Sequence, residues 1–254
     1  MRRTSLTEEE IRRYARHIVL PELGGLGQAR LRSARVLVVG AGGLGSPLLL
    51  YLAAAGIGTL GVVDDDRVDL SNLHRQILFD GAAQGRPKVQ AAAERLEGVQ
   101  PDLRIVRHEV RLDAGNAASL VQGYNLVADG SDNLATRLAV HDAALALRIP
   151  LVSASVQGLD GQLTTYKAYL GRPHPCLRCL VDAETGADAL PSCAQGGILG
   201  PVAGVLGTLQ AVEVIKEVAG IGQSLSGTLL VYDAAAAAFD RIRFRRAPGC
   251  PEHR

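Results

Sequence analysis

A glycine-rich turn is the first feature of the sequence that could carry chemistry. Gly40, Gly42 and Gly45 have the G-x-G-x-x-G spacing between an apolar strand-like run and a helix-like segment. Such a turn presents backbone amides to a phosphate at a helix N-terminus. Asp64 ends the next strand-like run, 24 residues after Gly40, where a carboxylate can accept hydrogen bonds from ribose hydroxyls. These residues predict adenine nucleotide binding, although the glycines alone would also suit close strand–helix packing.

Charged and amide side chains follow the predicted strand ends further along the chain. The set comprises Asn72, Arg75, Gln76, Lys88 and Asp132. Each residue alone is typical of a solvated surface, but open α/β sheets bind ligands at this edge. Chemistry at a phosphate needs cations that offset negative charge and a carboxylate that holds Mg²⁺, whereas a dehydrogenase acts at its nicotinamide. The set therefore favours ATP over NAD.

Two pairs of soft or imidazole ligands indicate a metal site. Cys176 and Cys179 form C-x-x-C, and Cys250 and His253 form C-x-x-H about seventy residues later. Four such ligands in two close pairs predict a tetrahedral, structural Zn²⁺ site. His174 competes with His253 for the fourth position because His253 is next to the last residue. A thiol-exchange role for the C-x-x-C pair is the alternative.

The elements that must position these residues follow two rhythms. From Arg35 to about Val152, short apolar runs alternate with helix-length segments, which predicts a parallel sheet covered by helices on both faces. After Pro150, GQLTTYKAYL, GTLLVYD and FDRIRFRR read as strands, and a helix over roughly 199–219 separates the first two. We predict one α/β domain with a Rossmann-like mixed sheet, antiparallel toward the C-terminus. Residues 234–238 are predicted to be a connection.

Composition excludes several classes of protein. The chain has 27 Lys and Arg against 26 Asp and Glu, and this balance gives no electrostatic footprint for nucleic acid. Val36 to Val63 is uncharged over 28 residues, but glycines and Pro47 interrupt it, which indicates buried strands rather than a membrane span. The polar N-terminus, with no apolar stretch behind its arginines, argues against a secretory signal. We expect a cytoplasmic protein without nucleic-acid or membrane partners.

Seven motifs, in order along nearly the whole chain, resemble the MoeB/ThiF/HesA family, the bacterial relatives of ubiquitin-activating enzymes. They are RYARHIVLPELG, GAGGLGSP, DDDRVDLSNLHRQ, GRPK, DGSDN, CLRC and a terminal PGC. The resemblance implies ATP-dependent adenylation of the C-terminal glycine carboxylate of a small ubiquitin-like carrier ending in Gly-Gly. The products are acyl-AMP and pyrophosphate, and a separate sulfur donor then forms the thiocarboxylate. The resemblance leaves open whether the carrier serves the synthesis of molybdopterin, thiamine, a thiolated transfer RNA or another sulfur-containing product.

The resemblance also implies site roles and a division of the single domain 1–254. A helical segment 1–33 precedes a nucleotide-binding part 34–150 and a zinc- and carrier-binding part 151–254. In the implied homodimer, Arg16 enters the partner's active site, although by itself it reads as a helix-surface charge. Asp64 contacts the ribose and Asp132 binds Mg²⁺. The remaining nucleotide contacts are Gly40, Gly42, Gly43, Gly45, Asn72, Arg75, Gln76 and Lys88.

Two cysteine features leave alternatives open. Cys193 lies in the region where some relatives hold the activated carrier as a thioester or take part in sulfur transfer. No neighbouring base in the sequence lowers its pKa, which favours a loop thiol without covalent duty. His253 departs from the family, which usually has a second C-x-x-C there, and this places the fourth zinc ligand in question.

The implied chemistry agrees with the residues present. A C-terminal carboxyl has a pKa of about 3.5, so it is ionised at neutral pH and needs no general base. Catalysis should then depend on neutralisation by Arg75, Lys88, Arg16 and Mg²⁺. An NAD-dependent oxidoreductase leaves these cations and the cysteine pairs unexplained. A non-catalytic, zinc-stabilised carrier-binding module and an enzyme that adenylates modified transfer RNA are further alternatives.

Overall fold

A mixed eight-stranded sheet forms the centre of the computed structural model, which describes residues 6–181, 197–250 and 252. The strands are β1 Arg35–Val39, β2 Thr59–Val63, β3 Arg104–His108, β4 Leu126–Asp129, β5 Leu151–Gln157, β6 Asp160–Tyr166, β7 Thr228–Asp233 and β8 Ala238–Arg243. Their order is β3-β2-β1-β4-β5-β6-β7-β8. The first five are parallel, and β6 to β8 pair antiparallel. The predicted fold class is confirmed.

Helices cover both faces of the parallel part. They are α1 Glu8–Arg13, α2 Ala15–Ile18, α3 Gly24–Ser33, α4 Gly45–Ala54, α5 Lys88–Val99, α6 Ala117–Val121, α7 Leu134–Ala146 and α8 Gly200–Ala219. One apolar core includes Leu48 of α4 and Leu206 of α8, and the other includes Val121 of α6 and Val140 of α7. Because both faces are covered, β2 is buried along its whole length.

The sequence has two long uncharged runs, Val36 to Val63 and Leu190 to Val212. The first forms β1, the glycine turn, α4 and β2, and α8 begins in the second, at Gly200. Across the residues described, every helix is too short or too polar to span a bilayer. The predicted helix over 199–219 is confirmed as Gly200–Ala219, ending at Gly220 with a φ of 69°.

Two predicted strands are shorter than the sequence indicates. β6 ends at Tyr166, and Ala168–Leu170 forms a 3-10 helix, so the prediction of a strand through Leu170 is wrong. β8 ends at Arg243 rather than continuing through FDRIRFRR. In both cases the ladder ends where its partner begins, because Tyr166 lies opposite Leu151 and Arg243 opposite Thr228. Sequence patterns do not contain that register.

Candidate active site

The glycine turn has a backbone shape that side chains would prevent. Gly40 has a φ of 90°, a left-handed conformation that favours glycine. A Cβ atom at Gly45 would lie 1.9 Å from the Gly40 carbonyl oxygen, so only glycine fits there. The Gly40 N–H donates to the Val63 carbonyl at 2.9 Å, which ties the turn to the end of β2. The turn is thus fixed by the sheet.

The N-terminus of α4 is prepared for an anion. No side chain caps this helix, which begins at Gly45 directly after the turn. The Ser46 N–H already donates to the Gly42 carbonyl at 2.9 Å, and Pro47 has no N–H, so the amides that can attract negative charge are those of the turn just before the helix and of Gly45. The turn and the helix start together form the arrangement that the sequence predicts for a phosphate.

Asp64 is fixed beside the turn. One carboxylate oxygen accepts the Ala41 N–H at 2.7 Å and the other accepts the Asp66 N–H at 2.9 Å. The side chain is only 9% exposed. Burial raises the pKa of Asp64, and the nearby Lys88 ammonium opposes that rise. The carboxylate therefore lies at the end of β2 with its orientation set by two backbone donors.

Lys88 places a buried cation at the same edge. It begins α5, as predicted, and its side chain is 5% exposed. Its Nζ lies 2.7 Å from Asp66 Oδ2 and 4.0 Å from Asp64 Oδ1. A buried ammonium needs such partners because the desolvation of an unpaired charge is costly.

Asn72 organises the predicted cation and amide group. Its Oδ1 accepts from Arg75 Nη2 at 3.1 Å and from Gln76 Nε2 at 2.8 Å. Arg75 Nη1 also donates to the Ser71 carbonyl at 2.9 Å. Gln76 is buried, and its Oε1 finds no donor within the described part of the chain. An unpaired buried amide oxygen is costly, so this atom is suited to accept from a ligand or a water.

Asp132 lies just beyond β4, as predicted, and its carboxylate is exposed. Its Oδ1 accepts from Asn133 Nδ2 at 3.3 Å, and Asn133 caps α7 by accepting the Thr136 N–H at 2.9 Å. Among the described residues, Asp132 makes no ion pair. Carboxylate oxygens are the ligand type that Mg²⁺ takes in phosphate sites, so the residue fits that ion.

One cavity of about 920 Å³ connects most of these residues. The predicted residues that line it are Gly40, Gly42, Gly43, Asp64, Asn72, Arg75, Gln76, Lys88 and Asp132. Gly45 is buried beneath the turn, and Arg16 lies exposed on α2 away from the cavity lining. The cavity continues along β5 and β6 to Leu180 and Val181. Ligand pockets reach about 1,000 Å³, so this one has room for a nucleotide and a short extended peptide.

Arg137 is a cavity residue that the sequence reasoning missed. It lines the cavity, and its Nη2 donates to the Ala154 carbonyl at 2.9 Å and also to the Ser131 carbonyl. These contacts join the loop after β4 to β5. The available signal was its position in the first turns of the helix that follows Asp132.

The structure gathers three of the four predicted zinc ligands. Cys176 Sγ lies 3.6 Å from Cys179 Sγ and 3.5 Å from Cys250 Sγ. A disulfide would require about 2.05 Å. Tetrahedral Zn²⁺ with bonds of about 2.3 Å separates its sulfurs by about 3.8 Å, so the spacing fits that ion. Burial, with the neighbouring thiols, raises the pKa of Cys176 to about 12.

Of the remaining predicted cysteine and histidine residues, the structure describes only His174. His174 Nδ1 lies 2.9 Å from Ser226 Oγ, and His174 does not belong to the group of the three thiols. His253 and Cys193 lie outside the described residues.

Comparison with known proteins identifies close sequence relatives. The ThiF family model matches residues 14–252. The sulfur carrier protein adenylyltransferase of Thermus thermophilus is 46% identical, and the match covers 96% of this chain and 91% of that protein. The adenylyltransferase and sulfurtransferase MOCS3 of Bos taurus is 51% identical over 98% of this chain. This chain spans only 54% of the bovine protein's length.

Solved structures with the same fold are more distant in sequence. A crystal structure of E. coli MccB with MccA-N7isoASN has a TM-score of 0.82 and is 20% identical, and the match covers 94% of this chain and 73% of that one. A crystal structure of PaaA has a TM-score of 0.78 and is 23% identical, with 96% of this chain and 77% of that one covered. At this identity, the likeness shows a shared fold.

Proposed function

The chain belongs to the ThiF family, and from this premise we propose that it adenylates the C-terminal glycine carboxylate of a small ubiquitin-like sulfur-carrier protein with ATP. The observation that carries the proposal is one cavity. It is lined by the glycine turn, Asp64, Lys88, Arg75 and Asp132, and it extends beyond them along β5 and β6. The name of the Thermus relative supports both the reaction and the kind of substrate, and the name of the bovine relative supports the reaction.

The nucleotide occupies the end of the cavity formed by the glycine turn. Asp64 accepts hydrogen bonds from the ribose, since its carboxylate is held at the end of β2. The amides of the glycine turn, up to Gly45 at the start of α4, bind the phosphates, with Arg75 and Lys88 beside them. Gln76 Oε1, which is buried and lacks a donor among the described residues, accepts a hydrogen bond from the nucleotide or from a water bound with it.

The reaction joins two anions at one phosphorus atom. An oxygen of the carrier's carboxylate attacks the α-phosphorus of ATP, and the bond from that phosphorus to the leaving pyrophosphate breaks. The products are an acyl-AMP anhydride and pyrophosphate. The carboxyl pKa is about 3.5, so no residue has to remove a proton. Charge neutralisation and alignment are the work left to the protein.

Lys88 and Arg75 provide that neutralisation from this chain. Lys88 is held by Asp66 and faces Asp64, so its ammonium is already oriented before ATP binds. Asp132 would hold Mg²⁺, which when bound neutralises the triphosphate and helps to align it. In a homodimer, Arg16 would add a third cation to the partner's site.

Further parts of the proposal concern sulfur and zinc. The three thiols of the described chain, with His253 as fourth ligand, would hold a structural Zn²⁺. Sulfur would arrive from a separate donor protein after adenylation. Cys193 either takes no covalent part or accepts the activated carrier during that transfer.

The decisive experiment is Mg²⁺-dependent exchange of labelled pyrophosphate into ATP. Purified protein is assayed with a small carrier ending in Gly-Gly and with the same carrier lacking those two residues. We expect exchange and acyl-AMP only with the intact carrier. An absence of both products, in protein that retains its fold and binds ATP, contradicts the proposal. NAD reduction in place of exchange would support an oxidoreductase.

A further inference from the structure

The thiol cluster and the cavity share one wall. Leu177 lies between the two cysteines of C-x-x-C, and Leu180 and Val181 follow directly. All three of these apolar side chains line the cavity. Gln162 and Thr164 of β6 also line it. Whatever fixes the cysteine turn therefore also fixes this wall of the cavity.

Helix α7 holds this turn through two neighbouring residues. The Leu177 N–H donates to His141 Nε2 at 3.2 Å, and His141 is buried. Asp142 Oδ2 accepts from Arg178 Nη2 at 2.6 Å. His141 Nδ1 lies 3.0 Å from Asp142 Oδ1, so the two α7 side chains are themselves connected.

Arg178 links the first pair of predicted metal ligands to the second. While Nη2 contacts Asp142, its Nε donates to Glu252 Oε1 at 3.0 Å. Glu252 lies between Cys250 and His253 in the sequence. Arg178 provides no metal ligand, yet it joins α7, the C-x-x-C turn and the C-terminal ligand segment. A planar guanidinium is suited to bind two carboxylates at once.

We propose that Arg178 is a positioning residue that locks the thiol cluster onto α7 and thereby fixes the wall along which the carrier's C-terminal tail reaches the nucleotide. This inference rests on the proposed function. An extended tail that ends in two glycines has little side-chain surface, so an apolar wall of set position must define its path. The wall is formed by Leu177, Leu180 and Val181. Arg178 should therefore affect metal retention and carrier binding together, and leave ATP binding unchanged.

The test compares Arg178→Ala with Arg178→Lys and with a matched control, Arg245→Ala. Arg245 is exposed and makes no ion pair within the residues described. Zinc release from each purified holoprotein is followed with a chelating dye, and KM is measured for carrier and for ATP. We expect Arg178→Ala to release zinc about tenfold faster than wild type and to have a carrier KM about tenfold higher. This is the scale of losing a contact outside the metal ligands themselves.

The variants should separate positioning from general damage. Arg178→Lys should show smaller increases in zinc release and in carrier KM than Arg178→Ala, because one ammonium can reach one carboxylate but not both. Glu252→Gln, an exposed change near the chain end, should speed zinc release in a protein that remains folded. Wild-type zinc release in Arg178→Ala, an unchanged carrier KM, or an equal rise in the ATP KM would each overturn the inference.

Failure of the proposed function gives a different pattern. If the wild-type protein forms no acyl-AMP, the proposed reaction is wrong, while the zinc-release arm still measures whether Arg178 locks the cluster. If the wild-type protein is active and both Arg178 effects are missing, only the positioning role fails.

Discussion

The two ends of the cavity are held by different forces. At the end where we propose that the nucleotide binds, called the nucleotide end below, backbone hydrogen bonds fix the glycine turn and the strand beside it. The Gly40 N–H donates to the Val63 carbonyl at 2.9 Å, and the Gly130 N–H donates to the Val39 carbonyl at 3.0 Å. At the thiol end, side chains far apart in sequence meet: Cys176 Sγ lies 3.5 Å from Cys250 Sγ, and Arg178 forms ion pairs with Asp142 and Glu252. The nucleotide end is part of the sheet, whereas the thiol end is connected to the rest of the protein through side-chain contacts.

This difference separates the requirements for folding and for substrate binding. The parallel strands bury continuous apolar runs, so burial of apolar surface stabilises the nucleotide end whether or not a metal is bound. Between residues 167 and 181, the described chain at the thiol end forms only two short 3-10 helices, Ala168–Leu170 and Leu177–Cys179. Its stability should depend on its ligands. Four predictions test this contrast, from the largest expected effect to the smallest.

Replacing one thiol should disturb the thiol end of the cavity and leave the nucleotide end intact. Cys176→Ser removes a buried ligand, and a structural zinc site can contribute on the order of 10 kcal/mol to folding. We expect loss of bound zinc, a fall of several kcal/mol in the free energy of unfolding and a raised carrier KM, while the Kd for ATP stays within about twofold. Metal analysis, denaturant unfolding and calorimetry measure these quantities. Cys193→Ser is the matched control for metal content. An equally large loss of ATP affinity would show that the two ends are not independent.

Removing the buried cation Lys88 should slow the reaction strongly at the nucleotide end. Lys88→Ala should lower the rate of pyrophosphate release by about a hundredfold or more, the scale of losing one charge stabiliser. Arg86→Ala is the matched control, because Arg86 forms an exposed ion pair with Glu94 and such pairs contribute little. Zinc content should not change in either variant. Wild-type rates in folded Lys88→Ala protein would remove Lys88 from the mechanism.

Neutralising the ribose carboxylate should weaken binding without stopping the reaction. Asp64→Asn keeps the shape of the side chain and loses its charge, and a hydrogen bond to a charged group is worth about 1.5–3 kcal/mol. We expect the Kd for ATP to rise by about tenfold or more and the carrier KM to stay constant. Isothermal calorimetry measures the first and initial rates the second. A shift confined to the carrier KM would contradict the placement of ATP.

The smallest effect is a pH dependence at the same residue. Burial raises the pKa of Asp64 above its usual value of 3.8. As pH falls through that raised pKa, the carboxylate becomes neutral and the advantage of wild type over Asp64→Asn should shrink. The ratio of the two Kd values for ATP, measured from neutral pH downward for as long as both proteins stay folded, isolates this titration because the ATP phosphates titrate equally in both experiments. A constant ratio across this range would show that Asp64 stays ionised.

The nucleotide end of the candidate site could be predicted largely from sequence. Gly40 and Asp64 lie where a turn and a strand end are visible as patterns, and Lys88 follows a helix-start signal. Arg137 and Arg178 could not be assigned in this way. Their partners are the carbonyl of Ala154 and the carboxylates of Asp142 and Glu252, and no short-range pattern pairs residues across such distances.

A buried amide illustrates the same limit within the fold. Gln210 occurs in an uncharged run that reads as core, and it is buried as expected. Its Nε2 donates to the carbonyls of Asp129 and Val152, at 2.9 Å and 3.0 Å, and so joins β4 to β5 from α8. Hydropathy predicts that this position is inside the protein, but not which strands it joins.

By itself, the sequence determined the elements of this protein: the alternation of buried strands and helices, the turn in which only glycine fits at position 45, and the spacing of the two pairs of predicted metal ligands. These are local properties, because periodicity and glycine geometry act over a few residues. The tertiary structure decided strand register, the place where β6 and β8 end, and the contacts of Arg178. Those depend on which distant groups the packed sheet and α7 bring within hydrogen-bonding distance.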